Sequence, residues 1–297
     1  PMFCDVDPVT HQIDIDQMSK LIGKDVSAIM GVNLWGGACN VKALTKLAED
    51  SGVQLYFDSA HAFGCAVDGV RIGNFGRAEV FSFHQSNILN STEGGCICTN
   101  DDELAAKLRV MRSSAGAGSV PAEVIKTVNG RMSEAQCAIA LMSLEDFSAN
   151  QQNNEELYRC YEANLAGIPG LHLVKISGVS FSNHQYAVCQ VDESKFGLSR
   201  DMLMALLQAE NINAQHHFYP GIHRCTPYAQ KLPQHLERLP DTDTLSATCI
   251  QLPIGALVSA QGVERICNIL AKAQQASAEI CAQYLRNVRL PDGQFNI

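Results

Sequence analysis

Strand-like and helix-like segments alternate through the first half of the chain, and this alternation limits the folds that it can adopt. The run AIMGVNLWG predicts a buried strand, and VKALTKLAEDSG predicts an amphipathic helix that ends at Gly52. The segments VQLYFDSAH, AEVFSFH and GCICTN predict three short strands, and DDELAAKLRVMRSS predicts a helix with acidic residues in its first turn. Such alternation indicates an α/β fold with a mostly parallel sheet and helices on both faces.

Polar side chains follow the predicted strands at the points where the strands end. Asp58 and His61 follow one strand, and Ser82 and His84 follow another. Because ligands of open α/β sheets bind beyond the carboxyl ends of the strands, we expect these four side chains to line one site.

The second half of the chain has a different pattern. A helical periodicity begins near Met132 and continues to Gly167, and shorter strands and helices follow it. We therefore predict a large domain over residues 1–150 and a smaller C-terminal α+β domain over residues 151–297.

Composition excludes several classes of partner. The net charge is −9, from 22 basic and 31 acidic residues, so we expect no binding to nucleic acid or to anionic membranes. There is no apolar run of membrane-spanning length and no secretory signal at the start, which predicts a cytoplasmic protein. The 12 cysteines include no CxxC pair, so we interpret them as reduced, small apolar residues.

Several motifs in order resemble one family of enzymes. They are FCDVDPVTHQID, VNLWGG, FDSAHAFG, FSFHQSNILNSTEGG, NGRMSEAQCAIALMSLEDF and HFYPGIHRCTPY. Together they resemble the pyridoxal-phosphate-dependent sugar aminotransferases of the DegT/StrS type. The resemblance covers nearly the whole chain and implies the fold-type I architecture of aspartate aminotransferase, with nucleotide-linked keto or amino sugars as substrates.

The resemblance also implies roles for particular residues. Asp58 matches the aspartate that pairs with the pyridine nitrogen of the cofactor, and His61 matches the residue beside the ring hydroxyl. Ser82 matches a serine that contacts the cofactor phosphate. Asn129 matches an asparagine that reaches the phosphate from a neighbouring subunit, which implies a dimer with shared sites.

One position departs from the family pattern. Asn87 stands where the family has the lysine that forms the Schiff base. An amide nitrogen is neither nucleophilic nor basic, so it cannot bond to the cofactor or carry a proton for it. Lys46, Lys107 and Lys126 are distant in sequence, in helices or a loop. We therefore do not expect ordinary transamination.

A second departure is at the start of the chain. The resemblance begins at a strand in the middle of the family's large domain, without the preceding helices and the Gly-Thr turn that holds the cofactor phosphate. Met2 is either a genuine initiator or part of a shortened or wrongly assigned start. Because the lysine and the turn both serve pyridoxal phosphate, we expect no cofactor; pyridoxal phosphate (PLP) or pyridoxamine phosphate (PMP) is the weaker alternative.

Three functions are compatible with this sequence. The leading hypothesis is an altered pocket in which Asp58, His61 and His84 act on a small molecule without the usual PLP chemistry. A second is a non-catalytic subunit that forms a heterodimer with a full-length paralogue rather than a homodimer. A third is a nucleotide-sugar aminotransferase seen as a variant or a fragment.

Two further features favour structural roles. His216, His217, His223 and Cys225 lie close together in sequence, but the family has a similar Tyr-Pro-x-x-His segment, and we predict no metal site. Trp35 follows a predicted strand, where an aromatic side chain more often belongs to the core or to an interface than to a ligand site.

Overall fold

A computed structural model describes residues 1–113, 127–216, 218–233 and 239–288. The chain forms two compact units. The first unit comprises His11–Gln152 and Ile176–Gln185, and the second comprises Pro1–Thr10, Asn153–Lys175 and Tyr186–Ile297. The division between residues 150 and 151 expected from the sequence stays a prediction.

The first unit is built on a mixed sheet of four strands. The strands of the unit are β1 (Ala28–Val32), β2 (Gln54–Asp58), β3 (Ala66–Val67), β4 (Val70–Arg71), β5 (Ala78–Ser82) and β6 (Gly95–Cys98). The helices of the unit are α1 (Ile15–Leu21), α2 (Val41–Ser51), α3 (Asp102–Met111) and α4 (Glu134–Glu145), with α5 (Phe147–Leu165) continuing into the second unit. The order of strands in the mixed sheet is β1-β2-β5-β6, and β3 and β4 pair separately. The first three strands are parallel, and β6 is antiparallel to β5. The α/β class predicted from the sequence is confirmed.

Local sequence signals account for helix α2. The Asn40 side chain accepts a hydrogen bond from the Ala43 N–H at the start of the helix, and Gly52 ends it with a φ of 67°. Leu44 of this helix packs with Ile29 and Phe57 of the sheet in one buried cluster. Helix α2 therefore covers one face of the parallel strands.

The opposite face of the sheet is apolar but exposed in the part of the chain that the structure describes. Met30 and Val32 of β1, Val80 of β5 and Ile97 of β6 project from it. Strand β1 thus alternates between buried and exposed residues, whereas its sequence predicted a strand buried throughout. The covering of this face by helices stays a prediction.

The second unit contains an antiparallel sheet. Its strands are β7 (Leu171–Leu173), β8 (Ala187–Val191) and β9 (Cys249–Leu252), and its helices are α6 (Glu193–Phe196), α7 (Arg200–Ala209), α8 (Tyr228–Lys231), α9 (Pro240–Thr248), α10 (Ala260–Gln275) and α11 (Ser277–Val288), with a 3-10 turn at Ile222–Arg224. Ser199 caps α7 by accepting a hydrogen bond from the Met202 N–H, as the sequence predicted. A large buried cluster fills the space between this sheet and its helices.

The helical pattern that begins near Met132 forms two helices rather than one. Asp146 separates α4 from α5, and its N–H bonds to the carbonyls of Met142 and Leu144. An N–H that is shared between two carbonyls in this way ends one helix within a single residue. The apolar periodicity continues across that residue, so the sequence pattern did not reveal the boundary between the two helices. None of the helices in the described ranges has both the length and the apolar character required to cross a membrane.

Candidate functional site

Two neighbouring parallel strands bring Asp58 and Ser82 to the same edge of the sheet. Asp58 is the last residue of β2 and lies opposite Val80 of β5. Because side chains alternate along a strand, Ser82 projects from the same face as Val80 and Asp58. Both Asp58 and Ser82 are half-buried. The expected position of these two side chains at the carboxyl ends of the strands is thus found.

The Asp58 carboxylate is only partly used within the protein. Its Oδ1 accepts a hydrogen bond from the Ala60 N–H at 3.1 Å. Its Oδ2 accepts none from any residue that the structure describes. An anionic oxygen at a ligand-facing edge can therefore pair with a cation or a protonated ring nitrogen.

His61 lies against the ring of Trp35. The two ring centroids are 5.6 Å apart and the ring planes differ by 25°, so the rings are stacked. The Trp35 N–H approaches Nδ1 of His61 at 3.5 Å, and the Trp35 indole N–H donates to Nδ1 of His11. Trp35 is buried, and it fixes the plane of the His61 ring from inside the unit.

The turn after β5 holds Ser82 and His84 near each other. The Ser82 hydroxyl oxygen accepts a hydrogen bond from the His84 N–H at 3.2 Å. The His84 Nδ1 accepts from the Ser86 N–H at 3.2 Å and contacts the Ser86 hydroxyl oxygen at 2.8 Å. Since Nδ1 is the acceptor, a neutral His84 ring carries its proton on Nε2, which lies 3.8 Å from Glu93.

Asn87 is buried at the base of the same turn, with 7% of its surface exposed. Its Nδ2 donates to the Ser82 carbonyl at 2.8 Å. Its Oδ1 accepts a hydrogen bond from Nε2 of Gln185 at 2.6 Å. Both polar atoms of the Asn87 side chain are therefore held by the first unit itself.

Sequence reasoning assigned no role to Gln185 or Asn183, although both belong to this arrangement. Asn183 donates hydrogen bonds to the carbonyls of His61 and Phe63, each at 3.0 Å. Its Oδ1 accepts from the Gln185 N–H at 3.0 Å. The available signal was the polar run SNHQ, which ends two residues before the start of the apolar strand β8, because consecutive polar residues near a buried strand require partners.

A buried carboxyl group lies beneath this edge of the sheet. Glu79 of β5 is buried and accepts hydrogen bonds from the Ser59 hydroxyl and from the N–H groups of Gly73 and Phe75. Burial raises the pKa of the Glu79 carboxyl above its ordinary value of 4.5, although these hydrogen bonds act in the opposite direction.

The raised pKa of Glu79 predicts how stability depends on pH. Because the folded state favours the protonated carboxyl, the stability that it contributes is complete below pH 4.5 and is lost as pH rises through the raised pKa. In urea unfolding over a range of pH that begins at 4.5 and rises, we expect the native chain to lose stability relative to Glu79→Gln. The exposed control Glu103→Gln should follow the native chain. A difference between native and Glu79→Gln that stays constant over this range would contradict the prediction.

Asn129 is the remaining residue to which the resemblance assigned a role. Asn129 is exposed on a segment that hydrogen-bonds to the end of α3, and it makes no hydrogen bond with Asp58, His61 or Ser82 in the described structure. Its proposed contact with a phosphate of a neighbouring subunit stays a prediction.

The histidine-rich segment belongs to the second unit. His223 is buried and its Nε2 lies 3.1 Å from Oδ1 of Asp243, which also pairs with Arg224. His217, which we grouped with these residues, lies outside the described residues. Across the described ranges, no group of three or more His, Cys, Asp or Glu side chains is arranged to hold a metal ion.

Comparison with known proteins identifies the family. The sequence profile of the DegT/DnrJ/EryC1/StrS aminotransferase family matches residues 1–271. The chain belongs to this family. It is 28% identical to a GDP-perosamine synthase from Vibrio cholerae over 274 residues, which are 91% of this chain and 72% of that protein. It is 33% identical to a dTDP-4-amino-4,6-dideoxy-D-glucose transaminase from Shigella dysenteriae over 222 residues, 75% of this chain and 60% of that protein.

A solved structure of this aminotransferase family has the same fold. The structure of DesI with its TDP-sugar product superimposes with a TM-score of 0.86 at 35% sequence identity, covering 96% of this chain and 72% of DesI. The fold-type I architecture is thereby confirmed. The chain spans less than two thirds of the length of the Shigella transaminase and under three quarters of the other two relatives.

The expectation that no cofactor is used is wrong for a member of this family. The family consists of aminotransferases, and a solved structure with the same fold, an E. coli GDP-4-keto-6-deoxy-D-mannose-3-dehydratase at 20% identity and a TM-score of 0.74, holds hydrated PLP. An asparagine at residue 87 bears on covalent attachment and on proton transfer, and not on non-covalent binding of the cofactor. The Oδ2 of Asp58 and the Ser82 hydroxyl have the chemistry that a pyridine nitrogen and a phosphate require, and their contact with a cofactor stays a prediction.

Proposed function

We propose that this chain holds PLP or PMP without a covalent bond, in a pocket for a nucleotide-linked sugar, and does not carry out ordinary transamination. The observation that carries this proposal is the hydrogen bonding of Asn87, the residue at the position of the family's lysine. Its side-chain amide hydrogen-bonds to the Ser82 carbonyl and to the Gln185 side chain. An amide nitrogen also does not react with an aldehyde.

Three side chains would hold the cofactor. Asp58 would pair with the pyridine nitrogen, His61 would lie beside the ring, and the Ser82 hydroxyl would donate to the phosphate. A bound pyridoxal ring supplies an electron sink for carbanion chemistry. The Asp58 carboxylate favours the protonated pyridine that this requires, and the Trp35 ring keeps His61 in one plane.

His84 is the proposed proton-transfer group. Its Nδ1 accepts from the Ser86 N–H, so Nε2 is the ring atom that would face a bound molecule, and it would transfer a proton from the imidazolium form of the ring. The names of the related proteins, which refer to GDP- and dTDP-linked sugars, support a nucleotide-linked sugar as the substrate.

Titration with each cofactor form tests the proposal. We expect a saturable change in the visible absorption when PLP or PMP is added, because the Asp58 edge binds the ring. After treatment with borohydride and unfolding, the cofactor should separate from the protein, since no imine exists to be reduced. A covalent adduct located by peptide mapping to the pocket would refute the non-covalent proposal. So would the absence of any saturable change.

We also infer that the chain acts as a dimer, either with a second copy or with a paralogue. Helix α4 supports this, because Ile139, Leu141, Met142 and Leu144 are all exposed on it. Contiguous apolar side chains on a helix favour burial against another subunit. The exposed position of Asn129 is compatible with a contact across such an interface.

Sedimentation of a charged variant checks this inference. We expect Leu141→Glu to shift the native dimer toward monomer, because a carboxylate would have to be buried without a partner. The control Leu257→Glu changes an exposed leucine of the second unit and should leave the dimer intact. A native chain that sediments as a monomer at all concentrations would contradict the inference.

A further inference from the structure

Gln185 contacts the Asn87 turn through both atoms of its side-chain amide. Its Nε2 donates to Oδ1 of Asn87 at 2.6 Å, and its Oε1 accepts from the Ile88 N–H at 3.3 Å. Gln185 is 4% exposed, so neither bond is in competition with bulk solvent. One glutamine therefore bridges the side chain of residue 87 and the backbone of residue 88.

The backbone of Gln185 is itself fixed to the segment that carries His61. Its N–H donates to Oδ1 of Asn183, and Asn183 donates to the carbonyls of His61 and Phe63. Asn183 is fully buried. A side chain at Gly36 would place its Cβ 2.5 Å from Oδ1 of Asn183, so this position requires glycine for the close approach. Gln185 is thus held rigidly relative to both sides of the candidate site.

The two ends of this hydrogen-bond chain determine the orientation of both amides. The Ile88 N–H can only donate, so the Gln185 atom that faces it must be the oxygen. This leaves the Gln185 nitrogen to face Asn87, which must present its own oxygen. The Asn87 nitrogen then faces the Ser82 carbonyl, which can only accept. Reversing either amide would oppose two donors or two acceptors.

We propose that Gln185 is a positioning residue that fixes the orientation of the Asn87 amide in the cofactor pocket. With one Nδ2 hydrogen bound to Ser82 and one Oδ1 lone pair bound to Gln185, Asn87 keeps one N–H and one lone pair in a fixed orientation for a ligand. Asn87 and Gln185 together form a neutral, directional contact at the place where the family has a cation. The identity of the ligand in this inference rests on the proposed function. The orientation of the Asn87 amide does not depend on it.

Gln185→Glu is the sharpest variant for testing this role. A carboxylate has nearly the same size and still accepts from the Ile88 N–H, but it cannot donate to Asn87. The Asn87 amide must then reverse toward Glu and lose its bond to the Ser82 carbonyl. Gln151→Glu is the matched control, because Gln151 is also buried in the first unit and donates to the Ser182 carbonyl without contacting Asn87.

Two measurements make the inference falsifiable. In nitrogen-15 spectra of the ligand-free protein, we expect Gln185→Glu to change the shifts and exchange of the Asn87 side-chain amide while Ile88 stays protected. In cofactor titrations, we expect it to weaken the binding of PLP or PMP about tenfold and to alter the spectrum of the bound form. Gln151→Glu should leave the Asn87 signals and the bound spectrum as in the native chain.

The outcomes separate this inference from the proposed function. Unchanged Asn87 signals in Gln185→Glu would overturn the positioning role, whether or not a cofactor binds. Altered Asn87 signals with unchanged affinity and spectrum would overturn its importance for the ligand. If the native chain binds neither PLP nor PMP, the proposed function fails, and the Asn87 signals still decide whether Gln185 orients the amide.

Discussion

Asn87→Lys is expected to give covalent capture of PLP poorly by itself, and efficiently when Gln185→Glu is added. A lysine amine condenses with the aldehyde of PLP to form an imine and release water. However, lysine offers only donors, so Nε2 of Gln185 would lose its acceptor at a buried position. An unsatisfied buried donor costs about 1–3 kcal/mol, which opposes the correct placement of the new side chain. Glutamate at residue 185 removes that donor and still accepts from the Ile88 N–H.

Borohydride reduction followed by peptide mapping measures the capture. We expect little adduct on the peptide containing residue 87 in Asn87→Lys, several times more in Asn87→Lys/Gln185→Glu, and none in the native chain. Gln185→Glu alone serves as the control and should also give no adduct there. If the single and double variants capture PLP equally, Gln185 does not oppose a lysine at this position.

Asp58→Asn is expected to weaken the binding of PLP and PMP by about 10- to 150-fold, the range for loss of a hydrogen bond to a charged group. Asparagine can keep the contact of Oδ1 with the Ala60 N–H, so the end of β2 should stay folded. The substitution removes the negative charge of the carboxylate and replaces Oδ2 with an NH₂ group. The protonated pyridine nitrogen then loses its counter-ion.

Absorption titration of this variant measures the effect. Asp50→Asn is the control, since Asp50 is an exposed aspartate of α2 that pairs with Lys46 and is remote from the strand ends. It should bind the cofactor as the native chain does. Equal affinity for Asp58→Asn and the native chain would mean that the ring does not lie over Asp58, and that the assignment of this edge of the sheet is wrong.

Part of this site could be predicted because its signals are local. The end of β2 at Asp58 and the end of β5 at Ser82 follow from apolar runs that stop at polar residues, and parallel strands bring such ends to one edge. Helix α2 was predicted with its Gly52 terminus because caps act within a few residues. The expectation of no cofactor was wrong for a different reason, since it was drawn from one side chain and one turn, whereas the family assignment rests on residues 1–271.

The sequence by itself determined the α/β class, the order of the elements and the absence of a reactive amine at residue 87. These depend on side-chain chemistry and on periodicities that repeat within one helix or strand. Only the tertiary structure revealed that Asn87 is paired, because its partner Gln185 is 98 residues away. A hydrogen bond between two such side chains depends on the path of the whole chain between them. No periodicity in the sequence reports that path. The path nevertheless decides whether the side-chain amide of residue 87 rotates freely or is held in one orientation.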